Sequence, residues 1–225
     1  MASVLIVGDT HCPGMHEDYP EFLHSVYRAW RCDTVVMIGD VVDFASSTYH
    51  EKNPAMPSFM EELKCAKQQV ARLYKLFPEA VVMTGNHDCL PYRKARTIGL
   101  PDDILYSLSD ILETPGWQWK DRYSDHCIDK VIYRHGDMGK GGGYAAHKNA
   151  KETFSSLVQG HWHTQFGVDW YACHRDLVFG MQVGCGIDRH KLAFEYGRKI
   201  VAKPILGCGV VIDGRHAICE PMLGI

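Results

Sequence analysis

Five short polar blocks, each placed where an apolar run stops, constrain the fold of this chain more than any other feature. They are Gly8-Asp9-Thr10-His11, Gly39-Asp40-Val41-Val42-Asp43, Gly85-Asn86-His87-Asp88, His135-Gly136-Asp137 and Gly160-His161-Trp162-His163. Four blocks follow β-type runs, at residues 3–7, 34–38, 80–84 and 130–134, and the fifth follows residues 156–159. Their Asp, His and Asn side chains therefore lie where strands stop, and a row of such strand ends is a place to hold metal ions.

The runs themselves predict the fold class. Residues 4–7 and 35–38 are short and continuously apolar, which is typical of strands buried on both faces of a sheet. Apolar residues recur every three or four positions over 20–31 and 57–77, which predicts helices between the strands. After residue 125 we predict strands at 127–134, 166–174, 177–183 and 209–212, with a helix at 144–157. The expected fold is α/β, a layered sandwich of two mixed β-sheets flanked by helices.

Composition sets the class of protein but not its substrate. With 225 residues, 46% of them hydrophobic, the chain can build one core, and we expect a single domain over residues 1–225. The sequence lacks an apolar stretch of about 18–20 residues and the features of a signal peptide, so we expect a cytoplasmic protein without a membrane partner. Nine cysteines without a C-x-x-C pair indicate reduced thiols. A net charge of −3 neither requires nor excludes a polynucleotide substrate.

The residue types in the blocks are those that hard and borderline divalent cations bind. Carboxylate, imidazole and amide groups suit Mn²⁺, Fe²⁺ and Zn²⁺, and no cysteine occupies a ligand position in a block. Two ions about 3.5–4 Å apart would need one shared carboxylate. The alternative is that these residues serve only as turn and cap residues, since Asp and Asn favour turns after strands.

The order G-D-x-H, G-D-x-x-D, G-N-H-D, H-G and G-H-x-H resembles that of the calcineurin-like metallophosphoesterase superfamily over residues 8–163. The resemblance implies two divalent ions, with Mn²⁺ as the first choice and Fe, Zn, Ni, Co or Mg as alternatives. It implies that one ion is held by Asp9, His11 and His163, and the other by Asn86, His135 and His161. Asp40 would bridge the two ions.

The same resemblance implies a mechanism. A hydroxide between the ions would attack the phosphorus, because metal coordination lowers the pKa of water toward about 7. His87 would protonate the leaving oxygen, and the alternative is a histidine that only packs beside the site. Asp43 would support the ligands from behind, and Asp88 would orient His87 or cap the chain that follows.

Departures from family subtypes narrow the expected function. Asp43 is followed by Phe44-Ala45, whereas Ser/Thr protein phosphatases of the superfamily have Arg-Gly there. The third block keeps His87, where some small phosphodiesterases have Cys and lipid A pyrophosphatases have Arg. We predict a phosphodiesterase acting on DNA, RNA or a small cyclic or dinucleotide. The alternatives are a phosphomonoesterase on nucleotides or small metabolites and a non-catalytic scaffold; no protein partner is indicated.

Two further regions supply substrate-binding candidates. Residues 43–57, 91–96 and 99–101 are similar to a group of phage-encoded superfamily members, which would place His50, Glu51, Arg93 and Arg96 in the substrate cleft, with arginine pairing with a second phosphate.

The glycine-rich run 139–143, with His147 beyond it, either approaches a phosphate through backbone N–H groups or is a flexible turn. Lys140, Lys148 and Lys151 hint at a basic strip but also fit a solvated helix face.

Overall fold

The computed structural model describes residues 1–49, 54–172, 174, 176–188, 190 and 201–223. Its strands are β1 (Ser3–Val7), β2 (Thr34–Met37), β3 (Ala80–Met83), β4 (Trp117–Lys120), β5 (His126–Ile128), β6 (Val131–Arg134), β7 (Ser156–Gln159), β8 (Phe166–Ala172), β9 (Leu177–Val183), β10 (Gly207–Ile212) and β11 (His216–Pro221). Its α-helices are α1 (Tyr19–Ala29), α2 (Phe59–Leu76), α3 (Leu90–Thr97), α4 (Leu108–Leu112) and α5 (Ala145–Thr153). None of the helices in these ranges is long and apolar enough to cross a membrane.

The strands form two mixed sheets, which confirms the predicted fold class. The first sheet has the order β11-β10-β1-β2-β3-β4. Strands β1 to β4 are parallel to one another, and β10 runs antiparallel to both of its neighbours, β1 and β11. The second has the order β5-β6-β7-β9-β8, with β6, β7 and β9 parallel and the two edge strands antiparallel to their neighbours.

The core lies on both faces of the first sheet, because side chains alternate along each strand. Val4 and Ile6 of β1 pack between the sheets, against residues of β6, β7 and β9. Leu5 and Val7 of the same strand point to the other face, where α1 and α2 cover them. Burial on both faces explains why β1 reads as a continuous apolar run rather than an alternating one.

Several boundaries differ from those predicted. The strand expected over 127–134 is a hairpin of β5 and β6, since Asp129 and Lys130 turn the chain with φ of 46° and 66°. The helix expected over 144–157 ends at Thr153, because Phe154 is left-handed with a φ of 51° and β7 starts at Ser156. Sequence periodicity does not record such turns when no glycine or proline marks them.

The topology brings the five polar blocks to one place. Three of them follow β1, β2 and β3, which are parallel neighbours, so these blocks share the carboxyl edge of the first sheet. The other two follow β6 and β7, parallel neighbours in the second sheet. In α/β sheets such carboxyl edges are where ligands bind.

Candidate metal centre

The backbone turns sharply where the blocks begin. His11, Asp40 and His161 have positive φ angles of 45°, 48° and 69°, and residues other than glycine seldom adopt this backbone conformation. Such conformations cost about 1–3 kcal/mol each and persist where the surrounding structure imposes them. Here they occur in three of the five blocks whose side chains meet in one cluster.

At two positions in the blocks, Gly85 and Gly160, a carboxylate lies too close to the backbone for any side chain to fit. A Cβ on Gly85 would lie 2.1 Å from Oδ1 of Asp40, and a Cβ on Gly160 would lie 2.1 Å from Oδ1 of Asp9. Both distances are far below van der Waals contact. The glycine that opens each of these blocks therefore leaves the space that a neighbouring carboxylate occupies.

The first group of candidate ligands consists of Asp9, His11 and His163, whose ligand atoms lie within 4.8 Å of one another. Nε2 of His163 is 3.0 Å from Oδ2 of Asp9 and 3.2 Å from Nε2 of His11. The Asp9 carboxylate also accepts the backbone N–H of His161, at 2.9 Å to Oδ2, which joins β1 to the block after β7.

The second group is Asp40, His135 and His161, again within 4.8 Å. Oδ2 of Asp40 is 3.3 Å from Nε2 of His135 and 3.6 Å from Nε2 of His11, so this carboxylate lies between the two groups. Oδ1 of Asn86 is 3.1 Å from Nε2 of His135. All seven residues predicted as ligands are therefore brought together, and they could hold two metal ions.

The hydrogen bonds of two ligand histidines fit metal binding. Nδ1 of His135 lies 3.0 Å from the carbonyl oxygen of Ile38, which can only accept, so Nδ1 carries a proton. Nδ1 of His11 similarly donates to Oδ1 of Asp43 at 2.8 Å. In each ring Nε2 then faces the Asp40 carboxylate, and either a second ring proton or a bound metal ion would satisfy that contact. A metal-binding histidine typically has its other nitrogen held in this way.

His87 is held by Asp43 through one ring nitrogen and is partly exposed. Its Nδ1 lies 2.9 Å from the backbone oxygen of Asp43 and 2.9 Å from Oδ1 of the same residue, so Nδ1–H donates and Nε2 is left available. The His87 side chain is 23% exposed, close to the 17% of His163 and well above the 0% of His11, so a substrate can reach it. His87 also forms a third potential ligand group with His11 and Asp40.

The charges of the cluster are strongly coupled. Burial lowers the pKa of His87 and of His135, but nearby carboxylates, Asp40 first, outweigh burial and raise each pKa to about 10. Burial raises the pKa of Asp40, but His135, His87 and His11 hold it well below its usual value. Burial likewise opposes ionisation of Asp43, yet its contacts with His11 and His87 lower its pKa to about 2. The carboxylates therefore stabilise positive charge in the cluster, carried either by protonated imidazoles or by metal ions.

Asp88 takes neither of the two roles expected for it, since it does not orient His87 and it caps backbone N–H groups that precede it rather than the chain that follows. Its Oδ1 accepts the N–H of Val42 at 3.0 Å and its Oδ2 accepts that of Gly85 at 2.8 Å. Burial, followed by the charge of Asp40, raises the pKa of Asp88 to about 7. The ring of His87 is held by Asp43 instead.

The residues predicted to bind substrate lie in different surroundings and do not form one group. Arg93 lies over the ring of Tyr49, while Arg96 is exposed and forms an ion pair with Asp102. The ring of His147 packs edge-on against Tyr171, with centroids 5.6 Å apart, on α5. His50 and Glu51 lie outside the described residues.

The lysines that hinted at a basic strip have ordinary surroundings. Nζ of Lys140 pairs with Glu152 at 3.3 Å, and Lys151 lies over the Tyr171 ring at 5.7 Å. These contacts favour a solvated face over a binding strip.

Sequence reasoning missed a chain of buried amides behind the centre. Asn149 accepts the N–H of Lys140 at 2.7 Å and donates to Gln159 at 3.0 Å. Gln159 donates to Gln182 at 3.2 Å, and Gln182 donates to the carbonyl oxygen of Gly160. The available signal was a glutamine near the end of two otherwise apolar strands, β7 and β9.

Sequence reasoning also missed a cation beside the fourth block. Nε of Arg122 donates to Oδ2 of Asp137 at 2.8 Å, and Nη1 lies 3.3 Å from Sγ of Cys89. Asp137 is therefore an ion-pair partner rather than a member of either candidate ligand group.

Comparisons with solved structures return chains of similar length and low identity. Vacuolar Protein Sorting 29 from Cryptosporidium parvum is 13% identical with a TM-score of 0.47, covering 98% of this chain and 97% of its own. The phosphoesterase Yfce from E. coli is 14% identical with a TM-score of 0.48, at 93% and 88% coverage. The nuclease MPE from Pseudomonas putida is 12% identical with a TM-score of 0.36, at 97% and 87% coverage. Similarities of this size carry no information about substrate.

A comparison with curated protein sequences gives no match. The family model described as calcineurin-like phosphoesterase, however, matches residues 2–173, which include all five polar blocks. The resemblance inferred from the order of those blocks is thereby confirmed. The chain belongs to the calcineurin-like phosphoesterase family.

Proposed function

We propose that this chain is a metal-dependent phosphodiesterase that acts on nucleotide-based substrates. The observation that carries the proposal is the position of Asp40, whose carboxylate lies 3.6 Å from His11 and 3.3 Å from His135, between two groups of nitrogen and oxygen donors. Family membership supports hydrolysis of phosphoesters. The choice of a diester and the use of two metals are our proposal.

The proposed ligand set uses seven residues of the cluster and leaves His87 free for another role. One metal is assigned to Asp9, His11 and His163, the other to Asn86, His135 and His161, with Asp40 shared. Imidazole nitrogens mixed with carboxylate and amide oxygens suit Mn²⁺, which we propose first, and also Fe²⁺ or Zn²⁺. Two bound ions would supply Lewis-acid stabilisation and a water of lowered pKa.

We assign His87 the role of general acid. Its Nδ1–H is held by Asp43 at 2.9 Å, so the proton that it can give to a leaving oxygen is the one on Nε2. Burial disfavours the charged ring, but Asp40 and Asp43 stabilise the imidazolium that carries this proton. Partial exposure of the side chain gives a substrate access to it.

The residue after Asp43 supports a diester substrate. Phe44 is 1% exposed and stacks on Phe59 with centroids 5.5 Å apart, so this position is part of the core. Protein phosphatases of the superfamily resemble this chain up to that point but have an arginine there that grips phosphate. A diester, with one negative charge, needs such a cation less than a dianionic monoester does.

The test compares hydrolysis of bis-p-nitrophenyl phosphate with that of p-nitrophenyl phosphate, using protein stripped of metal and reloaded with Mn²⁺. We expect the wild type to prefer the diester and Asp40→Asn to lower kcat by about 10³-fold or more, since the shared ligand is lost. His216→Ala, a substitution at an exposed position on β11, serves as the control and should retain activity.

Two results would contradict the proposal. Preference for the monoester would establish a phosphomonoesterase. Failure to cleave either compound, in protein shown by metal analysis to be loaded, would favour a non-catalytic scaffold.

A further inference from the structure

A group of aromatic rings and cations lies next to the candidate centre and has no role in the chemistry proposed above. We call it the aromatic–basic surface: Tyr49, Arg93, Lys94, Arg122 and Tyr123. Arg93 and Lys94 lie in α3, which starts at Leu90, directly after the block that holds His87. Tyr49 follows Asp43 by six positions in the chain.

Two cations contact one aromatic ring. The Arg93 guanidinium carbon is 5.1 Å from the centroid of the Tyr49 ring, and Nζ of Lys94 is 3.8 Å from it. Both side chains are partly buried. Neither forms an ion pair with a carboxylate among the residues that the structure describes. Like charges held this close repel each other, and partial burial weakens their hydration, so a bound anion would stabilise the arrangement.

A second ring carries a third cation. The Arg122 guanidinium is 4.4 Å from the centroid of the Tyr123 ring. Arg122 contacts Sγ of Cys89 at 3.3 Å, while the backbone N–H of Arg93 donates to the carbonyl oxygen of Cys89 at 3.0 Å. Burial raises the pKa of Cys89, and the charges of Arg122 and Arg93 oppose that shift. The Arg122 side chain therefore contacts Cys89, two positions after His87, and α3, which carries Arg93 and Lys94, begins at the next residue.

The rings remain available to a ligand. Tyr49 is 49% exposed and Tyr123 is 56% exposed. Arg122 is paired with Asp137, whereas Arg93 and Lys94 have no carboxylate partner among the described residues. Exposed aromatic rings beside such cations are the features by which proteins bind single-stranded nucleic acid, because the bases stack and the cations contact phosphates. A duplex cannot stack its paired bases on such rings.

We propose that Tyr49, Arg93 and Lys94 bind a second phosphate and an unpaired base of a single-stranded polynucleotide whose scissile phosphate lies at the metal centre. This inference rests on the proposed function and narrows its substrate to a chain of nucleotides. Arg93 and Lys94 contact Tyr49 and belong to neither candidate ligand group, so we assign them to a phosphate other than the one being cleaved. A cyclic mononucleotide has no second phosphate to place there.

The experiment measures kcat/KM for a labelled single-stranded oligonucleotide and for bis-p-nitrophenyl phosphate, in the wild type and in Arg93→Ala/Lys94→Ala. We expect the oligonucleotide value to fall at least tenfold more than the value for the small diester. The dependence of log KM on log salt should weaken by about 0.7, since Arg93 and Lys94 are proposed to bind one phosphate and each phosphate contact to a single strand contributes about 0.7.

The charge-matched control is Arg28→Ala/Arg31→Ala. It removes two exposed arginines at the end of α1. This end of the helix leads into the start of β2, at the edge of the sheet opposite to the carboxyl edge where the polar blocks lie. The ratio of the two kcat/KM values should stay as in the wild type. Tyr49→Leu should weaken oligonucleotide binding about tenfold, and Tyr49→Phe, which keeps the ring, should restore most of it.

The outcomes separate this inference from the proposed function. Equal losses on both substrates, or a wild type that cleaves the small diester but no oligonucleotide, would overturn the inference and leave phosphodiesterase activity standing. If the wild type cleaves neither, the proposed function fails. In that case, binding of a labelled oligothymidylate to the aromatic–basic surface is measured by fluorescence anisotropy in EDTA. Weaker binding by the double variant than by the wild type supports the inference, and unchanged binding overturns it.

Discussion

Asp40 is the side chain on which the candidate centre depends most. It is 1% exposed, it lies within 3.6 Å of the Nε2 atoms of His11 and His135, and its Oδ1 accepts the backbone N–H of His87 at 2.7 Å. One carboxylate thus contacts residues from β1, β3 and β6. Its position is set by its own left-handed backbone and by the space that Gly85 leaves.

A substitution at Gly85 tests whether the missing side chain there is needed for the position of the Asp40 carboxylate. In Gly85→Ala the new methyl group would lie 2.1 Å from Oδ1 of Asp40, so the carboxylate must move. A displacement of about 1 Å at a reacting site costs about 10²-fold in rate, and we expect a loss of this size in phosphodiesterase kcat/KM. The matched control is Gly143→Ala, where a Cβ meets no atom within 4 Å; a comparable loss there would remove the steric explanation.

The proposed acid role of His87 predicts a dependence on the leaving group. p-Nitrophenolate leaves readily without a proton, whereas the alkoxide of a nucleotide does not. His87→Ala should therefore reduce kcat by about 10²–10⁴-fold for a dinucleotide but by much less for bis-p-nitrophenyl phosphate. Losses of equal size on both substrates would point to metal binding by His87, the alternative that its contact with His11 and Asp40 leaves open.

At the scale of elements, helix α2 is tied to the centre through one buried carboxylate. Glu62 is 3% exposed, and its two oxygens accept the backbone N–H groups of Ala45 at 2.6 Å and Ser46 at 2.9 Å. Ala45 begins a short 3₁₀ turn two residues after Asp43. The helix therefore fixes the segment that carries the carboxylate holding His11 and His87.

Replacing this carboxylate by an amide should weaken that connection. Glu62→Gln leaves one of the two N–H groups facing an NH₂ donor, which costs about 1–3 kcal/mol in the free energy of unfolding. Glu61→Gln is the matched control, because Glu61 lies in the capping box with Ser58 and glutamine can also serve there. Urea unfolding of the two variants measures the difference, and equal stabilities would show that the Glu62 contacts contribute little.

The elements also show what could be predicted from the sequence. β1, β2 and β3 were predicted from continuous apolar runs, and the blocks that follow them converge because parallel neighbours end at one edge. The hairpin at Asp129 and Lys130 and the end of α5 at Phe154 were missed, because these turns use left-handed residues other than glycine. The role of Asp88 as a backbone cap depends on contacts between separate loops, which local sequence does not encode.

At the scale of the whole molecule, the candidate centre joins the two sheets. Asp9, His11, Asp40 and Asn86 follow strands of the first sheet, whereas His135, His161 and His163 follow strands of the second. Metal ions held between them would act as cross-links across the core. The single domain over residues 1–225, the similarity to phage-encoded members and a cytoplasmic location stay predictions from the sequence.

Metal binding should therefore raise the stability of the fold. A ligand that binds only the native state at a concentration of 100 Kd contributes about 2.7 kcal/mol, so Mn²⁺ should raise Tm and EDTA should reverse the change. Asp40→Asn should abolish most of the shift, while Asp103→Asn, at an exposed acid, should keep it. A Tm shift that survives Asp40→Asn would place the metal elsewhere.

The buried amides behind the centre bear on how the second sheet finds its alignment. Gln159 and Gln182 are directly opposed partners of β7 and β9, and every amide from Asn149 onward donates toward Gly160. A slip of β9 by one residue would set Met181 or Val183 against Gln159 and leave polar groups unsatisfied in a solvent-free interior. Mispaired sheets are thereby penalised during folding, and the strand that presents His161 reaches the native state in a single register.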